Sequence, residues 1–282
     1  MSETYLCGVC PHMCEIAPGH TGFCRGRGVP AGAEERGVVS LDYGKLTSIA
    51  LDPIEKKPLY HFHPGSMILS VGGFGCNLRC PWCQNSYISM AGEGDVETHD
   101  VTPEALVAFA ENYVPSGNIG VAFTYNEPLI NFEYVRDTSV RLKERGLKSV
   151  LVTNGYANPE YWGELLPLID AMNIDLKGIG EGFYERIEGS LKTVKQNIIS
   201  AAGRCHVEIT CLLVNGVNDS QNEIEQLTDF VASVSPEIPL HISRFFPHYY
   251  FKDKAPTRIE SMKIFEEIAR KKLTHVHLGN VK

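Results

Sequence analysis

From residue 67 onward the chain alternates between short apolar runs and stretches with a helical hydrophobic period. Residues 68–74, 119–124, 149–153, 171–176, 205–214 and 238–246 have the length and β-branched content of strands. Thr102-Pro103-Glu104 is a helix start, and Leu106, Phe109, Ala110 and Tyr113 then share one face. Val135, Thr138, Ser139 and Leu142 mark a second helix that stops at Gly146, and Asn158-Pro159 opens a short third one. Ser220-x-x-Glu223 is a capping box ahead of Ile224, Leu227 and Val231. Thr257-x-x-Glu260 is expected to cap a helix carrying Met262, Phe265 and Ile268, and residues 275–278 to begin a last strand. Six strand–helix units in series predict a parallel sheet with right-handed crossovers, curled as a partial TIM-type (β/α)6 barrel over 68–282. In such folds the chemistry lies at the C-terminal ends of the strands.

The first 67 residues follow another logic. Residues 37–51 alternate only partly and are expected to form two short strands of a hairpin or small sheet. Residues 52–65 contain three prolines, paired lysines and the Tyr60-His61-Phe62-His63 run, an irregular loop with the character of an active-site lid or substrate wall. Ahead of them Cys7, Cys10, Cys14 and Cys24 lie among prolines and glycines, in a segment too loop-rich to be held by an apolar core. Four thiolates on such a scaffold suit a tetrahedral zinc site or an auxiliary iron–sulfur cluster, and spacing alone does not choose between them. His12 and His20 are substitute ligands for that group. Residues 1–67 are therefore assigned to a Cys-rich N-terminal extension and lid.

Composition narrows the partners. The 282-residue chain carries a net charge of −8 and no long basic run, which disfavours nucleic acid and anionic membrane surfaces. No apolar run approaches the ~20 residues a membrane span needs. The first residues lack the basic and apolar regions of a secretory signal. Nine cysteines in that setting predict metal ligation in a reducing, cytoplasmic compartment.

The densest chemistry is Cys76-Asn77-Leu78-Arg79-Cys80-Pro81-Trp82-Cys83, which follows the first barrel strand and Gly72-Gly73-Phe74-Gly75. Three thiolates at C-x3-C-x2-C spacing hold three corners of a [4Fe–4S] cubane and leave the fourth iron without a protein ligand. This motif resembles the signature of radical S-adenosylmethionine (SAM) enzymes, in which Trp82 occupies the aromatic position before the third cysteine. Residues 68 to 250 look like the pyruvate formate-lyase activating enzyme branch of that superfamily. The resemblance implies a SAM site in which Glu127, in Tyr-Asn-Glu-Pro, stands where the branch has a GGE-type motif for the SAM ammonium. Thr153-Asn154-Gly155 and Asp175-Leu176-Lys177 match the branch's ribose and carboxylate contacts, and His248 resembles a SAM-contacting histidine after the sixth strand. The N-terminal cysteines and the run from Asp52 to Phe62 resemble AmmeMemoRadiSam-system radical SAM proteins along nearly the whole chain. That likeness implies Memo-type and AMMECR-type partner proteins, and its members continue past a Gly-Asn like Gly279-Asn280 into a further cysteine-bearing tail, which leaves open whether this chain is a truncated form.

The expected activity is reductive cleavage of SAM, with an external one-electron donor, to a 5′-deoxyadenosyl radical that abstracts hydrogen from an unidentified substrate. A glycyl-radical-enzyme activase is the alternative within the same chemistry. A non-catalytic iron–sulfur or zinc protein is the alternative from another class, and it predicts a cluster without SAM binding.

Overall fold

The computed structural model describes residues 3–281. Its centre is one eight-stranded sheet: β1 (Ser48–Pro53), β2 (Met67–Gly72), β3 (Asn118–Phe123), β4 (Lys148–Thr153), β5 (Ala171–Asp175), β6 (His206–Leu213), β7 (Leu240–Arg244) and β8 (Val276–Gly279). The strands lie in sequence order, and β2 to β8 are all parallel. β1 pairs antiparallel with β2, Ser48 opposite Gly72 and Pro53 opposite Met67. The two edges, β1 and β8, do not pair with each other, so the sheet is an open, partial barrel.

Helices α1 (Pro103–Asn112), α2 (Phe132–Glu144), α3 (Pro159–Leu165), α4 (Glu181–Arg186), α5 (Leu191–Ala202), α6 (Gln221–Val234) and α7 (Ile259–Ala269) fill the crossovers. Their apolar stripes explain the layering. Leu106, Val107 and Ala110 of α1 and Ile224, Leu227 and Val231 of α6 are buried against the sheet. Thr102 accepts a hydrogen bond from the Ala105 N–H, and the Ser220–Glu223 capping box is complete. Thr257 departs from its expected role. Its hydroxyl is drawn to the Leu213 carbonyl and accepts from the Phe245 N–H at 3.3 Å, so it ties β6 to β7 and leaves Arg258 at the start of α7. A buried hydroxyl beside two strand ends satisfies more otherwise orphaned groups there than at an exposed helix start.

The N-terminal segment is built from two-residue strands. Tyr5–Leu6 pairs with Glu15–Ile16, and Arg27–Val29 pairs with both His20–Thr21 and Val39–Ser40. The strands expected within 37–51 do not form a hairpin together. Lys45–Leu46 pairs with His99–Asp100, while β1 joins the main sheet, so part of the segment assigned to the extension forms the barrel's edge. Arg27 fastens this segment to α2. Its guanidinium is buried, donates two 2.7 Å bonds to the Glu133 carboxylate and a third to the Ile130 carbonyl at 2.9 Å. Among the described residues no helix is long and apolar enough to cross a membrane.

Because β1 runs antiparallel to β2, the loop after it lies at the N-terminal ends of the parallel strands. Ile54 and Leu59 are fully buried there against Ile68, Ala122, Val150 and Ala171. The 52–65 loop is thus a plug in the barrel floor, opposite the strand ends that carry the cysteines. Glu208, near the start of β6, clamps it: the buried carboxylate accepts from the backbone N–H of Tyr60 (3.0 Å) and His61 (2.8 Å). The same carboxylate lies 2.9 Å from His206 Nε2 and 2.6 Å from His241 Nε2.

Candidate active site

At the C-terminal ends of the strands lies a cavity of about 350 Å³. Cys76, Cys80, Cys83 and Trp82 line one side of it, and Glu127, Thr153, Asn154, Asp175 and Lys177 come from the ends of β3, β4 and β5. Local chain chemistry places each of them. Gly75 turns the chain at φ +84, and a Cβ there would stand 2.5 Å from the Cys24 carbonyl oxygen, so only glycine fits. The Cys76 N–H donates to that same Cys24 carbonyl at 3.2 Å. Arg79 folds back over the loop, donating to the carbonyls of Cys76 (2.8 Å), Leu78 (3.0 Å) and Phe23, with its guanidinium 3.9 Å above the Phe23 ring. Trp82 is buried between Phe183 and Phe251.

The polar strand ends form a second, connected network. Glu127 Oε1 accepts from the Leu129 N–H (3.0 Å) and Thr153 hydroxyl (2.6 Å), and Oε2 from the Asn154 N–H (2.8 Å). Burial pushes this carboxyl up to about 7 despite those three donors. Its Oε2 retains a lone pair for one further donor. The Asn154 amide nitrogen donates to Asn77 Oδ1 at 2.9 Å and approaches Cys76 Sγ at 3.9 Å, coupling β4 to the cysteine loop. Lys177 is ion-paired to Asp175 at 2.9 Å. Burial pulls its ammonium down, but Asp175, Cys80 and Cys76 outweigh it and hold the pKa well above the ordinary value. His248 is exposed, precedes the short turn Tyr249–Phe251 and does not line the cavity.

The remaining cysteines separate cleanly. Cys7, Cys10, Cys14 and Cys24 gather in the N-terminal loops, and burial, with the neighbouring thiols adding to it, pushes Cys10 up to about 12. This group abuts the cavity's cysteine loop through the Cys24–Cys76 backbone bond and through His12, whose Nε2 lies 2.9 Å from the Asn77 carbonyl oxygen. Among the described residues no three His, Cys, Asp or Glu side chains surround the position of a single metal ion. A cubane cluster places each thiolate on a different iron, a wider spacing than a single-ion site needs, and the soft thiol donor set beside Lys177 suits it. Cys205 and Cys211 belong to neither group.

Several cavity residues were not singled out as contacts from sequence. Lys56 and Lys57 reach it from the floor loop, and Tyr125 and Asn126 line it just ahead of Glu127. Tyr125 sits at φ +70, an unusual backbone state for a tyrosine. For Glu208 the available signal was a lone acid in the otherwise largely apolar run from Val207 to Leu213.

An open parallel α/β barrel with a three-cysteine loop and polar strand ends around one cavity defines an iron–sulfur enzyme of the barrel type. Comparison with known proteins makes the class specific. The family model described as the radical SAM superfamily matches residues 70–231. The chain is 38% identical to the uncharacterized protein MJ0808 of Methanocaldococcus jannaschii over 98% of its own length and 81% of that protein's. It is 27% identical to the pyruvate formate-lyase-activating enzyme of Clostridium pasteurianum, over 57% of this chain and 67% of that enzyme. A radical SAM methyltransferase from Sphaerobacter thermophilus shares the fold, with a TM-score of 0.58 at 17% identity over 77% of this chain and 67% of that one. The chain belongs to the radical SAM superfamily and is a radical SAM enzyme, with a [4Fe–4S] cluster and SAM as its cofactors.

Proposed function

We propose that this enzyme binds its cluster through Cys76, Cys80 and Cys83 and binds SAM in the adjoining cavity to abstract hydrogen from a substrate held inside the barrel. The observation that carries this reading is the convergence of the three thiols with Glu127, Asn154, Asp175 and Lys177 on one cavity. When bound and reduced, the cluster supplies the electron that cleaves the sulfonium C–S bond of SAM, giving methionine and a 5′-deoxyadenosyl radical. The chain's own residues bind, orient and shield. Lys177 offers a cation for a carboxylate, and Asp175 offers an acceptor for a ribose diol. Glu127 Oε2 offers an acceptor for an ammonium, with Thr153 and the Asn154 backbone holding that carboxylate in place. Trp82 closes one wall. His248 lies apart from this set and would have to approach it by movement of the 245–251 turn.

The protein acts in the cytoplasm with an external one-electron donor, and Memo-type and AMMECR-type proteins are its partners in this reading. Of residues 1–67, the part ahead of β1 serves as a Cys-rich extension whose four thiols, Cys7, Cys10, Cys14 and Cys24, hold zinc or a second iron–sulfur cluster, while β1 and the 52–65 plug belong to the barrel. Similarity to activating enzymes favours one second reading, activation of a glycyl-radical enzyme.

The test is anaerobic reconstitution, then dithionite and SAM, with 5′-deoxyadenosine measured by mass spectrometry and metals counted. Product that disappears in Cys76→Ala, Cys80→Ala and Cys83→Ala supports the assignment; full iron and product in Cys80→Ala refutes it. About four irons per chain would leave the N-terminal group to zinc or to no metal, and about eight would make it a second cluster.

A further inference from the structure

The floor plug brings two lysines to the cavity. Lys56 and Lys57 both line the cavity, on the plug and not on the cysteine loop. Both ammoniums share one carboxylate: Lys56 Nζ is 3.0 Å from Asp52 Oδ1 and Lys57 Nζ is 2.9 Å from Asp52 Oδ2. The Tyr125 hydroxyl donates to Asp52 Oδ2 as well, at 3.0 Å. Two cations against one anion leave a surplus positive charge. The Lys57 side chain is only 4% exposed, and its ammonium lies 4.8 Å from the Tyr125 ring centroid. An ammonium has three donors, and a buried cation short of partners is costly. The interior next to the plug is short of partners too. Asn173 and Thr210 face inward one step below Asp175 and Leu212 on their strands, and Asn173 Oδ1 and Thr210 Oγ1 are buried without a hydrogen bond.

We propose that the plug side of the cavity recognises a carboxylate or phosphate group of a small-molecule substrate through Lys56 and Lys57. Asp52 and Tyr125 act as positioning residues that hold the two ammoniums side by side. This deepens the radical SAM reading and rests on it for the identity of the site. The anionic end docks on the plug and the rest of the molecule extends toward the cysteine wall, where hydrogen would be removed. A small anion suits a cavity of about 350 Å³ in which one of the two ammoniums, Lys57, is buried beside Asp52.

The test uses the cluster-loaded protein saturated with SAM and left unreduced, titrated calorimetrically with inorganic phosphate, pyrophosphate and succinate at low ionic strength. At least one probe is expected to bind saturably, with a Kd at or below about 1 mM. Removing one charged hydrogen-bond partner should weaken it about tenfold or more, in Lys57→Met and in Lys56→Gln. Lys56 is largely exposed, so its variant reports on binding even if Lys57→Met fails to fold. Lys56→Arg should recover most of the affinity, and Lys272→Ala, removing a lysine that pairs with Asp229 on α6 and does not line the cavity, should bind like the parent. No saturable binding of any probe overturns the proposal, as does unchanged affinity in Lys56→Gln. Preference for a phosphorylated or acidic peptide over all three probes would also overturn it, since the substrate would then be a protein. The 5′-deoxyadenosine assay on the parent protein keeps the two readings apart. Product without anion binding removes only this inference, and anion binding without product removes the radical reading while the anion site stands.

Discussion

Removing the Glu208 carboxylate should detach the barrel floor. Glu208 is fully buried and serves four donors: two backbone N–H groups of the plug, His206 and His241. His206 is partly exposed and can turn to water, whereas the His241 side chain is 3% exposed and the two backbone groups cannot move independently of the plug. Glu208→Ala thus strands three donors. At roughly 1–2 kcal/mol for each unsatisfied group the loss is about 3–6 kcal/mol, a large share of the 5–15 kcal/mol typical of a whole domain. Glu208→Gln keeps the shape and one acceptor, but its NH2 group must face a donor. The histidine on that side can change tautomer and accept, while the backbone N–H opposite cannot, so a loss of about 1–2 kcal/mol is expected. Urea unfolding gives the global loss, and amide hydrogen exchange over 56–63 gives the local one. Exchange there should accelerate in both variants before the parallel strands open. A loss below about 0.5 kcal/mol in Glu208→Ala, the range of an ordinary surface change, would refute the clamp.

Acid should weaken the same region in a defined order. Burial first, then the neighbouring His241 and His61, pulls His277 down to about 4, against about 6.5 in an unfolded chain. Its contribution is complete above about pH 6.5 and is lost as pH falls toward 4, because the unfolded chain takes up the proton earlier. Glu208 is also depressed, since its four donors outweigh its burial, so a further loss follows below the ordinary carboxylate range. Urea midpoints at pH 7.5, 6 and 5 should fall in that order, and His277→Gln should flatten the upper part of the curve. Arg27→Ala leaves Glu133 without its bidentate partner and should cost about 3–5 kcal/mol by thermal or urea unfolding, and Arg27→Ala, Glu133→Leu, which removes the stranded carboxylate, should recover part of that loss. Gly72→Ala would place a Cβ 2.6 Å from the Thr124 carbonyl oxygen, forcing β2 and β3 apart beside the cysteine loop. Reduced iron uptake on reconstitution, with the far-ultraviolet circular dichroism retained, is the expected readout.

Much of this protein is legible in its sequence because the deciding information is local. Strand length, helix caps such as Thr102 and Ser220, and the hydrophobic period fix the order of elements, and serial βα units leave few topologies. The cysteine spacing that identifies the superfamily needs only eight consecutive residues. Polar residues at strand ends, among them Glu127, Asn154, Asp175 and Lys177, converge because a parallel barrel brings every such end to one face.

Long-range pairing settled the rest. Nothing local says that β1 pairs antiparallel with β2, yet that one choice sends residues 52–65 to the floor of the barrel and turns Lys56 and Lys57 into cavity residues. Thr257 has the local pattern of a cap and is used as a strand tie, because Leu213 and Phe245 arrive from elsewhere with groups to satisfy. Glu208 finds its donors 147 and 148 residues away, and Arg27 finds Glu133 after 106. Sequence periodicity records which face of an element is apolar, and the partner that meets a buried charge is decided only when the chain closes.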